Sequence, residues 1–275
     1  MRSPYTSRVV RIVTPIQPDE SSWAAMERAV AMAKAMEAEL KGLFLEDTEA
    51  LAAATLPFTR TVAFQSGRIG AFEAADLQAA YRALAERARQ RLAEYCRAQA
   101  LQWSFEVEAR GGEAPEEPAV AGSGAATALE EARERSRIRD LLLLDRRALR
   151  FRQQSAALLR LATRHGTVAV ADLTGPPPQQ VVLIYHGAED RLILAAQLAH
   201  ALGVRLEVLV CADDEEGDGS LLADRVTSWM KEHRVAGAVD IIPPAETEAA
   251  KARIVGLSGV LVLFERTDLI SSLAA

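Results

Sequence analysis

The chain has almost no cysteine. Its two, Cys96 and Cys211, stand far apart among 275 residues and form no C-x-x-C pair. That excludes a disulfide framework and a cysteine-built zinc site, and it fits a reducing compartment. Long apolar runs are missing too. No stretch approaches the roughly 18–20 residues that span a bilayer. The opening MRSPYTSRVVRIV carries too short an apolar segment for a signal peptide and reads straight into a strand. A soluble, cytoplasmic protein without membrane insertion is the expectation. Nor is there an excess of positive charge. The formal net charge of -6 argues against nucleic acid or an anionic membrane as the main partner. The arginines from Arg133 to Arg152 are interleaved with acids and read as a solvated helix face.

Chemical motifs are equally scarce. The four histidines, His165, His186, His200 and His233, form no H-x-x-x-H or H-x-H pair, so no metal site is expected. Ser21, Ser22 and Ser155 lack the G-x-S-x-G setting of a nucleophile, and the first two suit a helix cap. The acids at 113–117 and 213–216 lack the glycine and closing glutamate of a calcium loop. Gly122-Ser123-Gly124 and Ser66-Gly67-Arg68-Ile69-Gly70 do not link a strand to a helix at dinucleotide spacing, and they read as flexible loops. The expectation is a non-enzyme with no cofactor.

What is present is globular: 49% apolar and 25% charged residues. The apolar runs alternate with helical patterns. Val9 to Ile16 is dense in β-branched residues, as in a strand buried on both faces. Asp19-Glu20-Ser21-Ser22 supplies a helix start, and Met26, Val30, Ala33 and Met36 follow at helical spacing. A strand at Leu40 to Leu45 completes a β-α-β unit, which crosses over right-handed. Residues 46–72 read as a partly ordered excursion. A helix over Ala74 to Ala100, a strand over Trp103 to Ala109 and a loop over 111–124 follow. Then come a charged helix from Ala126 to Arg139, a central strand at Leu141 to Leu144, a helix over Gln153 to Thr163 and a fifth strand at Thr167 to Leu173.

Gly175-Pro176-Pro177-Pro178 marks a stiff boundary. After it the pattern starts again. Strands are expected at Val181 to Tyr185, Leu206 to Cys211, Ala238 to Ile242 and Val260 to Phe264. Helices are expected at Asp190 to Leu202, Ser220 to His233 and Thr247 to Val255. Ala-Met-Glu-Ala-Glu-Leu (35–40) and Ala-Leu-Gly-Val-Arg-Leu (201–206) occupy equivalent places in the two copies. The fold class expected is α/β: two tandem flavodoxin-like, doubly wound parallel sheets, over 1–175 and 179–275, the second lacking its last strand. That second sheet should then have an exposed edge unless another segment covers it.

Arg-Ile-Val-Thr-Pro-Ile (11–16), the alanine-rich helix ending at Leu40, and Val-Leu-Ile-Tyr-His-Gly-Ala-Glu-Asp (182–190) together resemble the universal stress protein family. Leu-Leu-Leu-Leu-Asp-Arg-Arg-Ala (141–148) and His-Gly-Thr-Val-Ala-Val (165–170) look like the family's fourth and final strands. The resemblance implies an adenine-nucleotide-hydrolase-like fold and, in some members, an ATP site. There an aspartate ends the first strand, and a Gly-x-x-Gly loop with a later Gly-Ser or Gly-Thr wraps the phosphates. Glycine suits that task because it lets backbone amides approach an oxyanion closely.

This chain departs at those points. The aspartate falls at Gln17 in the first copy, two residues before Asp19, and at His186 in the second. The glycine stretch falls at Asp145-Arg146-Arg147-Ala148 and at Phe264-Glu265-Arg266-Thr267. Only an arginine is kept, at Arg147 and Arg266. The degenerate site positions are therefore Gln17, Asp19, Asp145, Arg146, Arg147, His186 and Arg266. Asp145 would repel phosphate, and Phe264 would fill its space. The implied function is a non-enzymatic interaction or regulatory protein that does not bind ATP and contacts an unidentified protein partner. The alternative is a small-ligand module in which Arg146 and Arg147 grip an anion or adenine nucleotide near Gln17 and Asp19. Because family units pair through final strands and only the first copy has one, a homodimer through residues 167–173 is expected.

Overall fold

The computed structural model describes residues 11–16, 20–56, 59–62, 69–71, 74–110, 140–149, 161, 167–211, 218–243, 246 and 258–265. In the first half the elements are β1 (Arg11–Ile16), α1 (Glu20–Ala35), β2 (Glu39–Asp47), α2 (Thr48–Ala54), β3 (Arg60–Val62) and β4 (Ile69–Ala71). They continue with α3 (Ala74–Ala98), β5 (Trp103–Arg110), β6 (Asp140–Asp145), α4 (Arg146–Leu149) and β7 (Thr167–Ala171). In the second half they are β8 (Gln180–Tyr185), α5 (Glu189–Leu202), β9 (Arg205–Cys211), α6 (Asp218–Glu232), β10 (Gly237–Ile242) and β11 (Val260–Glu265). The helices expected at 126–139, 153–163 and 247–255 lie outside the described residues, apart from Leu161.

The strands form where apolar and β-branched runs can be buried on both faces. Leu141 to Leu144 of β6 are all fully buried. Each such leucine contributes roughly 1.5–3 kcal/mol relative to an exposed one. Helices that lead into the next strand close on a left-handed residue. Glu37 (φ 52) follows α1, Ala100 (φ 51) follows α3, Gly203 (φ 67) follows α5 and Arg234 (φ 54) follows α6. Glu37 and Gly203 are the third residues of the two repeated hexapeptides. The repeat thus preserves a backbone turn even where glycine, the residue suited to it, is replaced.

Nine strands make one sheet in the order β10-β9-β8-β11-β7-β6-β1-β2-β5. Pairing in this sheet is parallel within each half and antiparallel only between β11 and β7, where Phe264 stands opposite Val168. Each half keeps its first strand in the middle of its own set. The order therefore reverses between β1 and β6, and again between β8 and β11, and the carboxyl ends at such reversals are where open α/β sheets place their ligands. Right-handed crossovers put helices that follow one direction of winding on one face and the reverse winding on the other. Residues of α1, α3, α5 and α6 accordingly share one hydrophobic cluster with Ile12, Leu40, Leu143, Leu183 and Val208. The opposite face buries Val13, Leu142, Leu144, Val168, Val262 and Phe264 together with Leu161.

The seam between β11 and β7 bears on two expectations. The edge expected at the last strand of the second half is not open: β7 of the same chain covers β11. For the same reason residues 167–173 have no edge to offer a second chain, because β7 pairs with β6 on one side and β11 on the other. A homodimer through that strand would have to displace β11. The excursion at 46–72 also contains more structure than expected, namely α2 and the small antiparallel pair β3–β4.

Candidate functional site

The first reversal of strand order lies where β1 and β6 end. The two strands run parallel in register from Arg11 opposite Asp140, so their carboxyl ends reach the same side of the sheet. β6 ends in Asp145, and α4 starts at the next residue. A carboxylate at such a junction caps a helix, and the Arg147 amide donates to Asp145 Oδ1 at 3.0 Å. A capped helical turn thus begins where the resemblance implies a glycine loop.

β7 lies beside β6, with Asp145 opposite Ala171. The next residue on each strand, Arg146 and Asp172, is brought together by that register. Arg146 Nη2 donates to Asp172 Oδ2 at 2.9 Å, and only 12% and 8% of the two side chains are exposed. Arg147 Nε lies 3.6 Å from the other oxygen, Oδ1, with its own side chain 54% exposed. The Thr174 hydroxyl donates to Oδ1 at 3.1 Å, and the Gly175 amide donates to the Asp172 carbonyl at 3.3 Å. Arg28 of α1 reaches the same turn, donating to the Gly175 carbonyl at 2.9 Å.

The two carboxylates respond oppositely. Burial pushes the Asp145 carboxyl above its ordinary value, and the nearby Asp172 charge adds to this against the Arg147 contacts. Burial also opposes ionisation of Asp172, but the Thr174 hydroxyl, Arg147, Arg146 and the Gly175 amide together hold it below the ordinary range. A raised carboxyl pKa means that the folded state binds its proton more tightly than the unfolded chain. Stability from this group therefore falls as pH rises from the ordinary carboxylate value through the raised one, and the full penalty persists at neutral pH. Asp145→Asn, which keeps an acceptor for the Arg147 amide, should raise the melting temperature at pH 7 and leave it unchanged near pH 3. Equal shifts at both pH values would contradict the assignment.

The sequence-predicted positions divide as follows. Asp145, Arg146 and Arg147 meet at one point. His186 follows the end of β8, partly buried, on the side of the second reversal of strand order. Gln17, Asp19 and Arg266 lie outside the described residues. Asp172, the centre of the cluster, was missed. Its signal was the register: it stands one step past the strand residue that pairs with Asp145. Elsewhere, a groove of about 510 Å³ runs between α1 and α3, lined mainly by Val30, Ala31, Tyr95, Ala98, Lys34 and Gln99. No group of three or more metal-ligating side chains, and no helix long and apolar enough to cross a membrane, occurs among the described residues.

No protein-family model matches the chain, and no curated protein matches its sequence. Solved structures do match its fold. A universal stress protein from Archaeoglobus fulgidus DSM 4304 is 11% identical with a TM-score of 0.54, over 93% of this chain and 96% of that one. The chain has a universal-stress-protein-like fold. A functionally unknown protein from Pseudomonas aeruginosa PAO1 is 12% identical with a TM-score of 0.48, over 97% of this chain and 96% of its own. At these identities the likeness concerns the universal-stress-like backbone; the Arg146–Asp172–Arg147 cluster is described from this chain alone.

Proposed function

We propose that the chain is a universal-stress-like interaction or regulatory protein of the cytoplasm. On this reading it acts by surface contact with a protein partner, catalyses no reaction and binds no ATP with useful affinity. One observation carries the reading: the arginines that would meet a phosphate are already engaged by the chain's own Asp172. Asp145 stands beside them, so an incoming polyphosphate would face two carboxylates and would have to break a part-buried ion pair.

Calorimetric titration of the whole chain with ATP tests this. The expected result is no saturable heat in the micromolar range. Micromolar binding that Arg147→Ala abolishes would overturn the proposal in favour of a ligand-binding module.

A further inference from the structure

We propose that Arg146, Arg147, Thr174 and Gly175 form a latent oxyanion site that the chain's own carboxylate, Asp172, holds shut, and that a phosphate-type dianion is the ligand it would take in place of Asp172. The inference rests on the reading that the native crevice is closed to nucleotide, and it goes on to say what closes it.

The geometry is that of an occupied anion site. Each oxygen of Asp172 faces its own guanidinium, Oδ2 at 2.9 Å from Arg146 and Oδ1 at 3.6 Å from Arg147. Thr174 adds a hydroxyl donor to Oδ1 at 3.1 Å. Gly175 closes the cradle from the backbone side. A Cβ there would lie 2.8 Å from the Asp172 carboxyl carbon and from Oδ2, so the absence of a side chain is what lets the main chain come up against the carboxylate. Paired guanidiniums, a hydroxyl and a glycine are the donor set that recognises phosphate. Here that set surrounds a single negative charge delivered on a turn.

The turn also has connections. Its Gly175 carbonyl holds Arg28 of α1, and residues 176–178, immediately after it, lead to β8 of the other half. A dianion that displaced the Asp172 carboxylate would exchange the contact made by this turn with the two arginines, while the Arg28–Gly175 hydrogen bond keeps Thr174 and Gly175 in place. Asp172 therefore works as an autoinhibitory contact, and its removal should convert a closed site into a binding one.

The test compares the whole chain with its Asp172→Ala variant, each titrated with inorganic phosphate at pH 7 and constant ionic strength. The expected result is binding at least tenfold tighter in Asp172→Ala than in the native chain, with the gain lost in Asp172→Ala/Arg147→Ala. Equal affinity in the native chain and the variant, or a gain that survives Arg147→Ala, overturns the proposal. If Asp172→Ala does not fold, Asp172→Asn is read instead by the phosphate-induced rise in melting temperature. A rise no larger than in the native chain overturns the proposal. The ATP titration of the native chain bears on the closed-site reading alone, so the two can fail separately.

Discussion

Replacing Phe264 by alanine is expected to destabilise the protein by about 3–5 kcal/mol, the range for deleting a fully buried ring. Phe264 is 1% exposed and lies in β11, opposite Val168 of β7. It belongs to the cluster that includes Leu142, Leu144 and Val170 on one side of the seam and Val182 and Ile184 on the other. The ring therefore packs where the two halves become one sheet. Its loss leaves a cavity that the surrounding strands can close only by shifting their hydrogen-bonded register, so little of the cost is recovered by relaxation. Urea unfolding of the variant should show a lower midpoint. If the halves lose their mutual support, the transition should also split in two. A loss below about 1 kcal/mol would mean that the seam does not depend on this side chain.

The second large effect is expected at a position with no side chain. A Cβ added to Gly237 would lie 1.8 Å from the carbonyl oxygen of Leu206 and 2.8 Å from Met230 Cε. Gly237 and Leu206 face each other at the start of the β9–β10 ladder. A backbone oxygen cannot rotate out of the way as a side chain can, so β10 must move off β9. Gly237→Ala should cost about 1–3 kcal/mol as an overpacking change, outweighing the roughly 0.4–1 kcal/mol gained by restricting the unfolded chain. Gly42 offers the contrast. Its added Cβ would meet Leu92 Cδ2 at 2.7 Å and Ile16 Cδ1 at 2.8 Å. Those atoms are the free ends of side chains, so Gly42→Ala should cost less than Gly237→Ala. Thermal melts of the two variants side by side would decide it, and the reverse order would refute the argument.

The strands were readable because a strand buried on both faces must be a nearly unbroken apolar run. Val181 to Tyr185 and Leu141 to Leu144 are such runs, and both are buried strands. The repeated hexapeptides located two helix ends, since the same left-handed turn recurs at Glu37 and Gly203. Short elements were not readable. α2 has seven residues and β3 and β4 have three each, too few for a period to emerge. The seam was not readable either. The strand pattern predicts a shorter second copy, but nothing local to Thr167–Ala171 says that its second neighbour is β11 in the antiparallel sense rather than a second chain. The site was half readable. Asp145, Arg146 and Arg147 are adjacent in sequence, whereas Asp172 joins them from 26 residues away through strand register.

The antiparallel seam has a directional consequence. Strands of the first half point their carboxyl ends one way, and those of the second half point theirs the other. The molecule therefore has two poles, separated by the length of a six-residue strand, roughly 20 Å at 3.3 Å per residue. Asp145 and its arginines stand at one pole and His186 at the other. Asp145 and His186 can therefore be probed by separate substitutions at opposite edges of the sheet.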